Sequence, residues 1–134
     1  MTDPDSITLA PSGDLVMTCQ DDGELIYIRK TSTTAAEGGV LHLLHDVKVD
    51  DTAYVGAEKG FLLVADTSAD IVYKIASAKW TVGAAFSAMS GVDATKTAKA
   101  QPGYVGALNE KTGELTATVA NMDAPHGLIF VAAP

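Results

Sequence analysis

Cysteine is nearly missing from this chain. Cys19 stands alone among 134 residues, so no internal disulfide can form and the fold must rest on a core and on hydrogen bonds. Basic residues are scarce too: nine Lys and Arg face seventeen Asp and Glu, for a formal charge of -8. They are scattered, so the surface repels phosphate backbones and nucleic acid is set aside as a partner. No apolar run approaches the roughly 18–20 residues that span a bilayer. The opening Met1-Thr2-Asp3-Pro4-Asp5 lacks the basic-then-apolar grammar of an export leader. No membrane partner is expected. Gly-x-Ser-x-Gly, Gly-x-Gly-x-x-Gly and Walker-type motifs are lacking as well, which removes support for serine-nucleophile chemistry and nucleotide binding.

What is present is an ordinary folding composition, 47% hydrophobic and 19% charged, in a chain the size of one domain. Within it one segment is written three times. Pro4-Asp5-Ser6-Ile7-Thr8-Leu9, Asp50-Asp51-Thr52-Ala53-Tyr54-Val55 and Pro125-His126-Gly127-Leu128-Ile129-Phe130 align without a gap, the first two 46 residues apart and the last two 75 apart. The match extends further: Leu15-Val16-Met17-Thr18 lies over Leu62-Leu63-Val64-Ala65, and Leu25-Ile26-Tyr27 over Ile71-Val72-Tyr73. A repeat of roughly 40–50 residues made of short apolar runs is the spacing of β-propeller blades. The units read as 4–49, then 50–124 with an insertion at 78–103, then a last inner strand at 125–131.

Apolar runs of four to seven residues, bounded by Gly, Asp, Asn or Ser, are strand-and-turn grammar. They predict strands near 5–10, 14–19, 25–30, 39–45, 50–56, 61–65, 71–77, 104–108, 114–120 and 126–131. Turns are expected at Pro11-Ser12-Gly13, Asp21-Asp22-Gly23, Glu58-Lys59-Gly60, Thr67-Ser68-Ala69-Asp70 and Asn109-Glu110-Lys111-Thr112-Gly113. The 78–103 stretch reads as an excursion from one blade, with 84–89 forming either a short helix or an extra strand.

Several phrases resemble the NHL-repeat and senescence-marker/gluconolactonase-like propellers. They are Leu63-Val64-Ala65-Asp66-Thr67, Asp70-Ile71-Val72-Tyr73-Lys74-Ile75, Tyr104-Val105-Gly106-Ala107-Leu108-Asn109 and Ala124-Pro125-His126-Gly127-Leu128. The resemblance implies the C-terminal, two-blade portion of such a fold. The expected class is therefore all-β, a partial β-propeller of about two four-stranded antiparallel blades plus one innermost strand. Propellers have about four to eight blades, so open edges and apolar blade faces are expected to be met by remaining blades or by self-association.

The repeat places Asp5, Asp51 and His126 at one equivalent position, the start of each innermost strand. Two carboxylates and an imidazole are competent ligands for a divalent metal ion such as Ca²⁺ or Zn²⁺. The alternative is that these residues only cap turns and guide the chain inward. The resemblance implies that a channel site of this kind serves a metal-dependent, lactonase-like hydrolase or a lyase, and Pro125-His126 is similar to a pair in peptide-amidating lyase. The catalytic glutamate that such hydrolases carry near the N-terminus has no counterpart here, so catalysis is left open. The leading expectation is a binding or scaffold module with a small-molecule or protein ligand; a truncated piece of a longer propeller is the other alternative. Relatives of this kind are often exported, and the compartment stays open.

Other residues carry weaker readings. His42 and His45, three apart, would point to opposite faces of a strand. Asp66 and Asp70 flank a turn and suit Asx-type hydrogen bonding. Asp21, Asp22 and Glu24 make an acidic hairpin tip without the spacing of a calcium loop. Cys19 suits a small buried apolar role, and Trp80 either packs locally or caps a groove.

Overall fold

Tight turns write the first sheet. Gly13 and Gly23 take positive φ (88° and 63°), which lets β1 (Pro4–Leu9), β2 (Leu15–Cys19) and β3 (Glu24–Lys30) follow one another with short reversals. With β4 (Ala36–His42) they form a four-stranded sheet in chain order. The computed structural model describes residues 2–30, 35–91 and 101–134.

The remaining strands are β5 (Asp51–Tyr54), β6 (Gly60–Asp66), β7 (Ile71–Ala76), β8 (Ala85–Met89), β9 (Gly103–Asn109), β10 (Glu114–Met122) and β11 (Pro125–Ala132). A second four-stranded sheet runs β5-β8-β9-β10, and a third, of three strands, runs β11-β6-β7. Every ladder is antiparallel. The protein is all-β, a partial propeller-like stack of antiparallel sheets that does not close on itself.

Alternation along the strands decides the stacking, because successive side chains point to opposite faces. Val16 and Leu25 of the first sheet meet Ala85, Met89 and Leu108 of the second. On the other side of the second sheet, Ala88 and Val105 meet Leu62, Val64 and Leu128 of the third. Each fully buried Leu or Val contributes about 1.5–3 kcal/mol, so either layer supplies on the order of 10 kcal/mol without any cross-link. The three repeated segments come out as the inner strands, with β5 packed between β1 and β11.

The chain order inside the sheets differs from the order of the repeat. The 78–103 stretch is not an excursion: its segment Ala85–Met89 is β8, and it takes the place beside β5 that the repeat reserves for β6. The β6–β7 hairpin moves on to β11 instead. Two contacts hold it there. Buried Asp66 at the end of β6 accepts the N–H groups of Asp123 and Ala124 at 2.8 and 2.9 Å, fixing the chain just before β11. Trp80 is buried between sheets, edge-on to Phe86 and Phe130 with ring centroids 5.5 and 5.8 Å apart, and its Nε1–H donates to Gly60 O. Local packing is thus the role Trp80 plays.

The strand expected at 39–45 is displaced toward the N-terminus. It ends at His42, and a short 3-10 turn follows at Leu44–Asp46 in which His45 and Asp46 are left-handed (φ 63° and 53°). His45 is therefore not on a strand at all.

Candidate functional site

The starts of the three inner strands converge, and the residue at their centre is Asp50. Its position is held from the backbone: the Asp50 N–H donates to Ala88 O at 3.0 Å, and its carbonyl accepts from the buried Thr18 hydroxyl at 2.8 Å. Its carboxyl shares a hydrogen bond with Asp5 of β1. Its Oδ1 lies 3.7 Å from His126 Nε2 of β11 and accepts, at 3.5 Å, from the Gln20 amide. The Asp50 side chain is only 14% exposed.

Electrostatics follows from that crowding. Partial burial, the shared hydrogen bond with Asp5 and the nearby Asp5 and Asp51 charges together push the Asp50 carboxyl up to about 6, against a pull from His126 in the other direction. Two carboxyl groups in hydrogen-bond contact do not both ionise cheaply, so Asp50 keeps its proton to a higher pH than an ordinary carboxyl.

His126 is oriented for this company. Its Nδ1 lies 2.9 Å from Ala124 O and 3.0 Å from Thr67 Oγ1. A carbonyl oxygen can only accept, which puts a ring proton on Nδ1 and turns Nε2 toward Asp50. Backbone-oriented histidines of this kind are common where imidazole binds a cation or moves a proton.

Asp51 behaves differently from its repeat partners. Its Oδ1 accepts the Thr52 N–H at 2.8 Å and its Oδ2 accepts the Leu128 N–H at 2.7 Å. Both oxygens are committed to backbone. Asp5 and His126 do come together, but through Asp50. The reason is register. β1 is irregular between Pro4 and Ile7 and β11 between Pro125 and Leu128, while β5 pairs evenly from Asp51 to Tyr54. A strand's side chains alternate, so a bulge present in two repeats and missing in the third exchanges which residue faces the cluster. The readable sign was the residue before: Pro4 and Pro125 lack an N–H and favour an irregular ladder, whereas Asp50 stands at that position in the middle repeat.

Among the described residues, no three His, Cys, Asp or Glu side chains are arranged to hold a metal ion as they stand. The other acidic residues have separate duties. Asp21 pairs with Lys48 at 3.3 Å and Glu24 with His42 at 3.0 Å, and Asp66 caps its turn by accepting the Ala69 N–H as well as Asp123 and Ala124. Although burial works against it, those backbone donors hold the Asp66 carboxyl below its usual range. Cys19 is fully buried, and burial pushes its thiol up. Among the described residues, no helix is long and apolar enough to cross a membrane.

No family model, curated protein or solved structure matches this chain.

Proposed function

We propose that this chain is a propeller-type binding module of the NHL-repeat and senescence-marker/gluconolactonase-like kind. Its Asp5–Asp50–His126 cluster holds a small cationic ligand, in the first instance a divalent metal ion such as Ca²⁺ or Zn²⁺. The observation that carries this reading is the convergence of the Asp5 and Asp50 carboxyls beside His126, whose Nε2 lies 3.7 Å from Asp50 Oδ1. Crowded carboxylates repel each other, and a cation placed between them offsets that cost. His126 Nε2 is a further ligand atom at the same point.

Calorimetric titration with CaCl₂ and with ZnCl₂ at pH 7.5 and pH 5 tests the reading. Binding is expected at pH 7.5, weakening at least tenfold at pH 5, where Asp50 is largely protonated, and lost in Asp50→Asn. Absence of binding by both ions at pH 7.5, or equal binding by Asp50→Asn, contradicts it.

A second reading, a hydrolase or lyase, is favoured by one feature: a carboxyl that titrates near neutrality beside an imidazole is equipped for general acid–base catalysis. Turnover of a lactone or ester substrate that depends on Asp50 would select it over simple binding.

A further inference from the structure

The two end sheets each leave one face uncovered, and both faces are apolar. On the first sheet the cross-strand rows Ile7–Met17–Ile26–Val40 and Leu9–Leu15–Ile28 lie opposite the face that carries Val16 and Leu25. Ile7 and Leu9 are each 63% exposed there and Val40 54%. On the third sheet the uncovered face carries Leu63 and Ile129 in one row, with Val72 beside them; Ile129 is 59% and Val72 65% exposed. Lys74 sits on the same face, its ammonium 4.2 Å above the Phe61 ring.

We propose that two copies of this chain close one ring, with the open face of the first sheet in each copy seated on the open face of the third sheet in the other. Three sheets per copy give six for the pair, within the roughly four to eight of closed propellers. The contact is head-to-tail and occurs twice, so it closes after two copies and does not propagate into a filament.

Size agrees with a second copy as the occupant. A face of three or four strands spaced about 4.8 Å apart and about five residues long covers roughly 300 Å². Each copy buries two such faces, so the pair buries about 1,100 Å² in total, close to the lower bound of a stable interface. Copy pairing does not depend on what the Asp50 cluster binds.

Size exclusion with light scattering on the wild type, Ile7→Arg and Ile129→Arg, each checked by circular dichroism, is the test. The wild type is expected at twice the 13.8 kDa of one chain, and each variant at one chain's mass with an unchanged spectrum. Val40→Arg and Val72→Arg stand in if either first variant fails to fold. A wild-type monomer, an open series of larger species, or a dimer that survives substitution on either face overturns the proposal; the last would mean that like faces pair.

Discussion

Asp51 on β5 and Leu128 on β11 are joined by a 2.7 Å hydrogen bond in which the carboxylate accepts the backbone N–H across 77 residues of chain. The bond ties two inner strands that share no ladder. It also explains why the middle repeat contributes Asp50 to the cluster: the carboxylate that the repeat aligns with Asp5 and His126 is already committed.

Removing that carboxylate separates structure from ligand binding. Asp51→Ala leaves the part-buried Leu128 N–H without its acceptor, and a loss of about 1–3 kcal/mol in urea unfolding is expected. Asp51→Asn keeps one acceptor and should lose less. Cation affinity in the folded Asp51→Ala protein should stay within a few-fold of wild type; a complete loss of binding with unchanged stability would return Asp51 to the ligand set.

The raised Asp50 carboxyl makes stability depend on pH in a defined window. The folded state binds the proton more tightly than the unfolded chain, so its stabilising effect is full below the ordinary value of 3.8 and is lost as pH rises through about 6. His126 beside it is 39% exposed and water screens the cluster, so the loss should be about 1 kcal/mol. Asp50→Asn carries no such loss. Denaturant midpoints between pH 4 and pH 7 should fall for the wild type and stay flatter for the variant, which becomes the more stable of the two above pH 6. Asp66 acts in the opposite sense and elsewhere: its lowered carboxyl stabilises above 3.8, and that contribution disappears only as the pH falls further.

The first and second sheets also meet through backbone, at Gly113 in the β9–β10 turn. The residue has φ 76°, and a Cβ there would stand 2.0 Å from His42 O, while its own carbonyl accepts the Leu44 N–H at 2.9 Å. Gly113→Ala is expected to cost about 3 kcal/mol or more, since backbone must move. Gly13 provides the control, with φ 88° but nothing within 4 Å of a Cβ. Gly13→Ala should cost only about 1 kcal/mol. Equal losses at the two sites, measured by thermal unfolding, would mean that the two sheets do not approach closely at Gly113.

Much of this fold was legible because strands and their turns are local. Apolar runs closed by Gly13, Gly23 and Gly113 locate β1–β3 and the β9–β10 hairpin to within a residue or two. The repeat correctly picks out β1, β5 and β11 as companions. Two things were not legible. β5 and β11 are copies of one segment, so local sequence does not say which of them receives the β6–β7 hairpin. That choice is made at long range, by Asp66 reaching Asp123 and Ala124 and by β8, whose Ala85, Ser87 and Ala88 are small enough to lie fully buried beside β5. The other is side-chain facing at the site. An aligned position keeps its direction only while the ladders stay regular, and the irregular starts of β1 and β11 break that rule for Asp51.

Titration of the Asp50 side-chain carboxyl carbon by NMR, in the wild type and in Asp5→Asn, tests the Asp5–Asp50–His126 cluster most directly. The cluster predicts an apparent midpoint near 6 in the wild type and a clear fall toward the ordinary carboxylate range once Asp5 no longer crowds it. A wild-type midpoint near 4, unmoved by the Asp5 substitution, would mean that the carboxyls do not crowd one another and that the inner strands hold no such site.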